Sequence, residues 1–206
     1  MMTREDLIAS AGALSPPPAA AAEEFSHKRD ELAARVNQTM AQRRDLEKMV
    51  GPDGHAMSED NNRNFPLFME SLFQVFEPEV LVDTVLWVFR TYRAHGFSPI
   101  YWPANLDTWV ETLRQELPAD VFAAIFPFYR WLITHIPAFT ALTDEAGAGR
   151  RTGCSAGAMN SSCPVESSAE EMPDPPGPFI SGMAIPSGKP VIPMRPDRQG
   201  WNHKRH

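Results

Sequence analysis

Phe65-Pro-Leu-Phe-Met-Glu-Ser-Leu-Phe-Gln-Val-Phe76 decides the fold class. Phe65, Phe68, Met69, Leu72, Phe73 and Phe76 fall at the i, i+3, i+4, i+7, i+8, i+11 positions of one buried helical face. Leu81-Val-Asp-Thr-Val-Leu-Trp-Val-Phe89 follows, with only Asp83 and Thr84 polar between Val80 and Phe89. A segment that apolar is expected to be covered on most sides, which predicts a central helix over 78–95 with Trp87 almost fully buried. Trp102, Leu106, Trp109, Val110, Leu113 and Leu117 give the next stripe. Val121, Phe122, Ile125, Phe126, Tyr129, Leu132, Ile133 and Ile136 give the last, ended by Pro137. Four of the five Trp, all three Tyr and ten of the twelve Phe lie between residues 65 and 139. The expectation is an all-α fold: a single helical domain of about five to six helices, globin-like or a bundle, with disordered termini.

Turn chemistry punctuates these stripes. Gly51-Pro-Asp-Gly54 ends a charged pattern over 23–50 that carries Phe25, Leu32, Val36, Met40, Leu46, Met49 and Val50. That thin stripe suits a surface helix or a seam for a partner or a second copy. Ser58 suits a helix cap, Pro66 a new start or a kink, Pro78 a first helical position, and Gly96 a left-handed C-cap. Ser98-Pro99 restarts the chain, and Pro127 interrupts the last pattern.

The ends read differently. Residues 1–22 contain Ser15-Pro-Pro-Pro-Ala-Ala-Ala-Ala22 and are expected to be a disordered leader, with Leu7 and Ile8 a candidate start of a short helix. Residues 144–206 are rich in Gly, Ser and Pro and lack hydrophobic periodicity, which predicts a disordered tail. Its Pro173–Pro178 and Pro186–Pro196 stretches suit polyproline II. The helical domain is therefore expected at 23–143.

Composition narrows the function. A net charge of −7 argues against a nucleic-acid surface. No apolar run reaches the roughly 18 residues of a membrane span. Cys154 and Cys163, separated by eight residues in a polar tail, match no common zinc spacing and suit a reducing cytoplasm. The Asn37-Gln-Thr and Asn160-Ser-Ser triplets read as chance sequons. No nucleotide loop, nucleophile elbow or acid pair with a His base is present, so a non-enzymatic protein is expected.

His95 and His135 each close an apolar helix, where a His interacts well with the dipole. Either is also a candidate axial ligand for haem. His55, Glu59 and Asp60 are the candidates for a metal-dependent enzyme, although a solvated helix start is their simpler role. Asp83, alone in an apolar helix, is the candidate polar anchor of a cavity lined by Trp87, Tyr92, His95, Trp102 and Trp109. Arg93 or Arg130 are its possible partners.

Thr91-Tyr-Arg-Ala-His-Gly-Phe-Ser-Pro-Ile-Tyr-Trp102 resembles the corner between the F and G helices of bacterial globins. Gly96, Phe97, Pro99 and Trp102 carry the likeness, which covers roughly residues 80–140. In that family the haem-binding His lies four residues before the Gly, where this chain has Tyr92. The resemblance therefore implies a globin-like domain without haem, similar to the sensor domains of bacterial stress-signalling complexes or to phycobiliproteins. Members of those groups are dimerising signal or scaffold modules. No Cys falls in the helical region, so an attached bilin is not expected. The combined expectation is a cytoplasmic sensor or protein-interaction module. It would bind a protein partner, a second copy or a small apolar ligand, with a haem protein and a metal enzyme as alternatives.

Overall fold

The computed structural model describes residues 2–148, with side chains through Asp144. The expected tail falls almost wholly outside these residues. Among them the fold is all-α, with no strand and seven helices: α1 (Arg4–Ala11), α2 (Ala19–Ala41), α3 (Leu46–Val50), α4 (His55–Gln74), α5 (Pro78–Ala94), α6 (Tyr101–Glu116) and α7 (Ala119–Ala148). No described helix is long and apolar enough to cross a membrane.

Two of these helices correct the expected boundaries. Residues 1–22 are not a free leader. Thr3 and Asp6 form a reciprocal capping box, Asp6 N–H donating to Thr3 Oγ1 at 3.1 Å and Thr3 N–H to Asp6 Oδ2 at 2.9 Å. That cap starts α1, which buries Leu7 and Ala11 completely. The alanine run then supplies the first turn of α2, in keeping with alanine's high helix propensity. The expected 23–50 helix divides at residues 42–45 into α2 and the short α3.

The central element is α2 rather than α5. It packs on α4, α6 and α7 and buries Phe25, Leu32, Val36 and Met40. Lys28 Nζ donates to the Glu116 carbonyl at the end of α6, 2.7 Å away. Ser26 and Arg29 both bond Glu70 of α4. The stripe expected to serve as a partner seam is thus spent inside the chain. In contrast, α5 packs mainly on α1 and α7, with Phe89 and Tyr92 reaching Trp102 at the start of α6. Its outer side carries Asp83, Trp87, Arg90 and Ala94, all exposed. Trp87 is 36% exposed, not buried. An apolar composition does not place a helix at the centre. One face of α5 meets its neighbours, and Trp87 lies one turn beyond Asp83 on the other.

Turns behave largely as their residues dictate. Gly96 has φ +87°. Its N–H donates to Arg93 O at 3.0 Å and the Phe97 N–H to Tyr92 O at 3.0 Å, the paired bonds of a Schellman turn. The Phe97 and Tyr92 rings meet edge to face at 4.9 Å beneath it. Gly54 is required by close approach, since a Cβ there would lie 2.0 Å from Val50 O. Pro66 neither restarts nor ends its helix, because α4 runs unbroken from His55. Nor does Pro137 end α7, which carries both Pro127 and Pro137. The lost backbone bonds of α7 are offset by burial of Phe128, Tyr129, Trp131, Leu132 and Phe139.

Candidate functional site

The six residues expected to line a cavity do not share one. Asp83 is exposed and paired with Arg4 of α1, Nε to Oδ1 at 2.7 Å and Nη2 to Oδ2 at 2.7 Å. The bidentate guanidinium holds its carboxyl below the usual carboxylate range. Neither Arg93 nor Arg130 bonds it, and Arg93 pairs with Asp144. His95 is exposed at the end of α5, its Nδ1 donating to Thr91 O at 2.8 Å. Trp87 faces outward.

Tyr92 and Trp102 do meet, edge to face at 5.4 Å. They belong to a closed aromatic cluster in which Phe89 stacks on Trp102 at 4.4 Å and Phe97 meets Tyr101 edge to face at 4.9 Å. The crevice beside it, between Phe89, Phe97, Pro99 and Trp102, measures about 10 Å³. That is room for about one water molecule. Burial pushes the Tyr92 phenol above its ordinary value, which disfavours the phenolate that ferric haem would need.

Trp109 sits apart in a second buried group. Its indole N–H donates to Asn62 Oδ1 at 3.1 Å. Asn62 Nδ2 donates to Asn37 Oδ1 at 2.8 Å, and Asn37 Nδ2 to the Glu59 carbonyl at 3.2 Å. The chain of amides ties α6 to α4 and α2. Asn37, read in sequence as a chance sequon, is therefore a packing residue. Ser58 is no cap either. It is buried within α4 and lies 3.0 Å from the Tyr101 hydroxyl. The candidate metal residues are otherwise engaged, since Arg63 pairs with both Glu59 and Asp60. Among the described residues no group of three His, Cys, Asp or Glu side chains could hold a metal ion.

The site that the structure does assemble lies between the end of α1 and the middle of α7. Its cleft measures about 520 Å³ and is lined by Ser10, Leu14, Pro127, Arg130, Trp131 and His135 among others. Ser10 Oγ lies 3.2 Å from His135 Nε2 and accepts the Trp131 indole N–H at 3.1 Å. His135 Nδ1 lies 2.7 Å from the Trp131 carbonyl. A carbonyl only accepts, so Nδ1 carries the proton of the neutral ring. Nε2 is then an acceptor, and the Ser10 hydroxyl donates to it. The imidazole also lies against the Trp131 ring, with centroids 4.4 Å apart. Its tautomer and its orientation are both fixed.

Sequence reasoning named His135 as a helix-end residue and did not find Ser10 at all. The Thr3-Arg-Glu-Asp6 capping signature was the cue. It marks an ordered helix in which Ser10 would have a fixed position. No protein family model matches this chain, and no curated protein and no solved structure is similar to it.

Proposed function

We propose that the chain is a cytoplasmic helical sensor or interaction module that takes a small amphiphilic ligand in the α1–α7 cleft. One observation carries this reading: hydrogen-bonding groups converge there on an apolar floor. Ser10, Arg130 and His135 line the cleft together with Leu14, Pro127 and Trp131, and its volume is about 520 Å³. Ligand sites combine that size range with a few fixed polar groups.

The cleft between α2 and α6 is slightly larger, about 580 Å³, but it has no imidazole and no indole in its lining, and several of its polar groups are bonded locally. Thr108 and Thr112 donate to carbonyls of their own helix, and Arg43 pairs with Asp45. Arg130 has no acid partner within ion-pair distance among the described residues, as is also true of Arg44 and Arg90, but of these three only Arg130 lines this cleft.

The test is an NMR titration of the full chain with phenylacetate, benzamide and butyramide, following indole N–H resonances. Binding in the cleft shifts Trp131 and leaves Trp109 in place. Shifts confined to Trp102 or Trp109 would move the ligand into the core and overturn the reading, as would no shift with any probe.

A further inference from the structure

We propose that Ser10 is a nucleophile activated by His135, and that the α1–α7 cleft accepts the acyl group of a small activated ester. The proposal goes beyond ligand binding and rests on the cleft being the binding site.

Its basis is the partner that one hydroxyl has. Helical hydroxyls usually turn back on their own backbone, and those along α6 and α7 do so. Thr108 donates to Ala104 O, Thr112 to Thr108 O, Thr134 to Arg130 O, Thr140 to Ile136 O and Thr143 to Phe139 O. Ser10 instead aims across to another helix, at an imidazole nitrogen. In the neutral ring that nitrogen is an acceptor, because the ring's other nitrogen is bound to a backbone carbonyl. A hydroxyl, a base within hydrogen-bond reach and a third group orienting the base are the arrangement that activates a serine. An α1–α7 tether alone needs none of this, since the Trp131 indole bond to Ser10 already supplies it. The pair also lines an open cleft, where an ester can reach it.

The chemistry balances without a cofactor. Ser10 Oγ bonds the ester carbonyl carbon while its proton passes to His135 Nε2. The tetrahedral centre then collapses. The bond from carbon to the leaving oxygen breaks, and that oxygen takes its electron pair and the proton from His135. An alcohol departs and Ser10 holds the acyl group. Arg130, in the same lining, supplies positive charge towards the developing oxyanion. Leu14, Pro127 and Trp131 give the acyl chain an apolar wall, which selects short apolar acyl groups over charged ones.

The experiment exposes the full chain to an alkyl fluorophosphonate and follows adducts by intact mass and peptide mapping. In that reaction the Oγ–P bond forms, the P–F bond breaks and fluoride leaves. The expected result is one adduct per chain on Ser10, none in Ser10→Ala, and labelling slowed about 100-fold or more in His135→Gln. Circular dichroism of each variant confirms folding. Should His135→Gln fail to fold, His135→Asn takes its place, with the same loss of labelling rate expected. Labelling elsewhere, no labelling, or a Ser10 rate indifferent to His135 would overturn the proposal. Amide probes that bind while Ser10 stays unlabelled would sink the nucleophile and leave the binding reading standing. Labelling without amide binding would do the reverse.

Discussion

Trp109 and Trp131 each send an indole N–H to a polar side chain on another helix, and the two networks differ in what surrounds them. Around Trp109 everything is closed. The indole and Asn62 are both 0% exposed, and every polar atom of the Asn62 amide is spent on Trp109 and Asn37. Around Trp131 the partner is Ser10, on a short helix at the edge, and a cleft opens beside it. The same kind of bond is structural where water is excluded. Where solvent reaches, it leaves a hydroxyl and an imidazole accessible to a ligand. Chemistry alone does not separate the two networks; burial does.

The contrast can be broken most forcefully at its closed end. Trp109→Ala removes a fully buried ring and orphans Asn62, and is expected to cost about 3–5 kcal/mol in a denaturant titration. A loss below about 1 kcal/mol would mean that the α2–α4–α6 core is not where the chain is anchored.

At the open end, Leu7→Ala is expected to cost about 2–4 kcal/mol, because Leu7 is 0% exposed in α1. The same variant is expected to alter Trp131 fluorescence while Trp109 stays native. A neutral Leu7→Ala would return residues 1–22 to a free leader and dissolve the cleft.

Alkali probes the closed half through Tyr101. Burial pushes its phenol up to about 12, although bonds from Ser58 and Asn61 pull it down. The neutral form is thus favoured in the folded state. Stability from this group is fully present below the unfolded value near 10 and is lost as pH rises through about 12, a change of order 2–3 kcal/mol. Burial raises Tyr92 and Tyr129 as well. Cooperative unfolding above about pH 10, together with phenolate absorbance, is expected. Phenolate formation near pH 10 in a protein that stays folded would show these rings to be solvated.

Trp87→Ala is the smallest change. With part of the ring covered although it lies on the outer side of α5, the substitution is expected to cost about 1–2 kcal/mol. A loss of 3 kcal/mol or more, the scale of a core aromatic, would place α5 at the centre after all.

The helical architecture was legible because long apolar stripes leave few alternatives. The Phe65–Phe76 face, Pro78 at the start of α5 and the left-handed Gly96 all follow from local rules. Position within the fold was less legible. The α2 stripe is thin yet fully buried, because small and aliphatic side chains let α4, α6 and α7 approach it closely. The composition of α5 is richer, but only one face meets α1 and α7. Trp87 therefore lies outside, and Asp83 finds its partner in Arg4. The cleft was least legible. Its two halves are 125 residues apart in the Ser10–His135 pair, and α1 has too few apolar residues for periodicity to reveal it. Leu7 and Ile8 hinted at that helix, and the capping box of Thr3 and Asp6 marks where it starts.

The most direct test of the division between a sealed and an open network is hydrogen exchange at the two indole N–H groups in one sample of the full chain. Trp109 is expected to exchange only on global unfolding, with a denaturant dependence matching the whole protein. Trp131 is expected to exchange much faster, through local displacement of α1 and with little denaturant dependence. Equal protection of the two indoles would contradict an open Ser10–Trp131–His135 cleft.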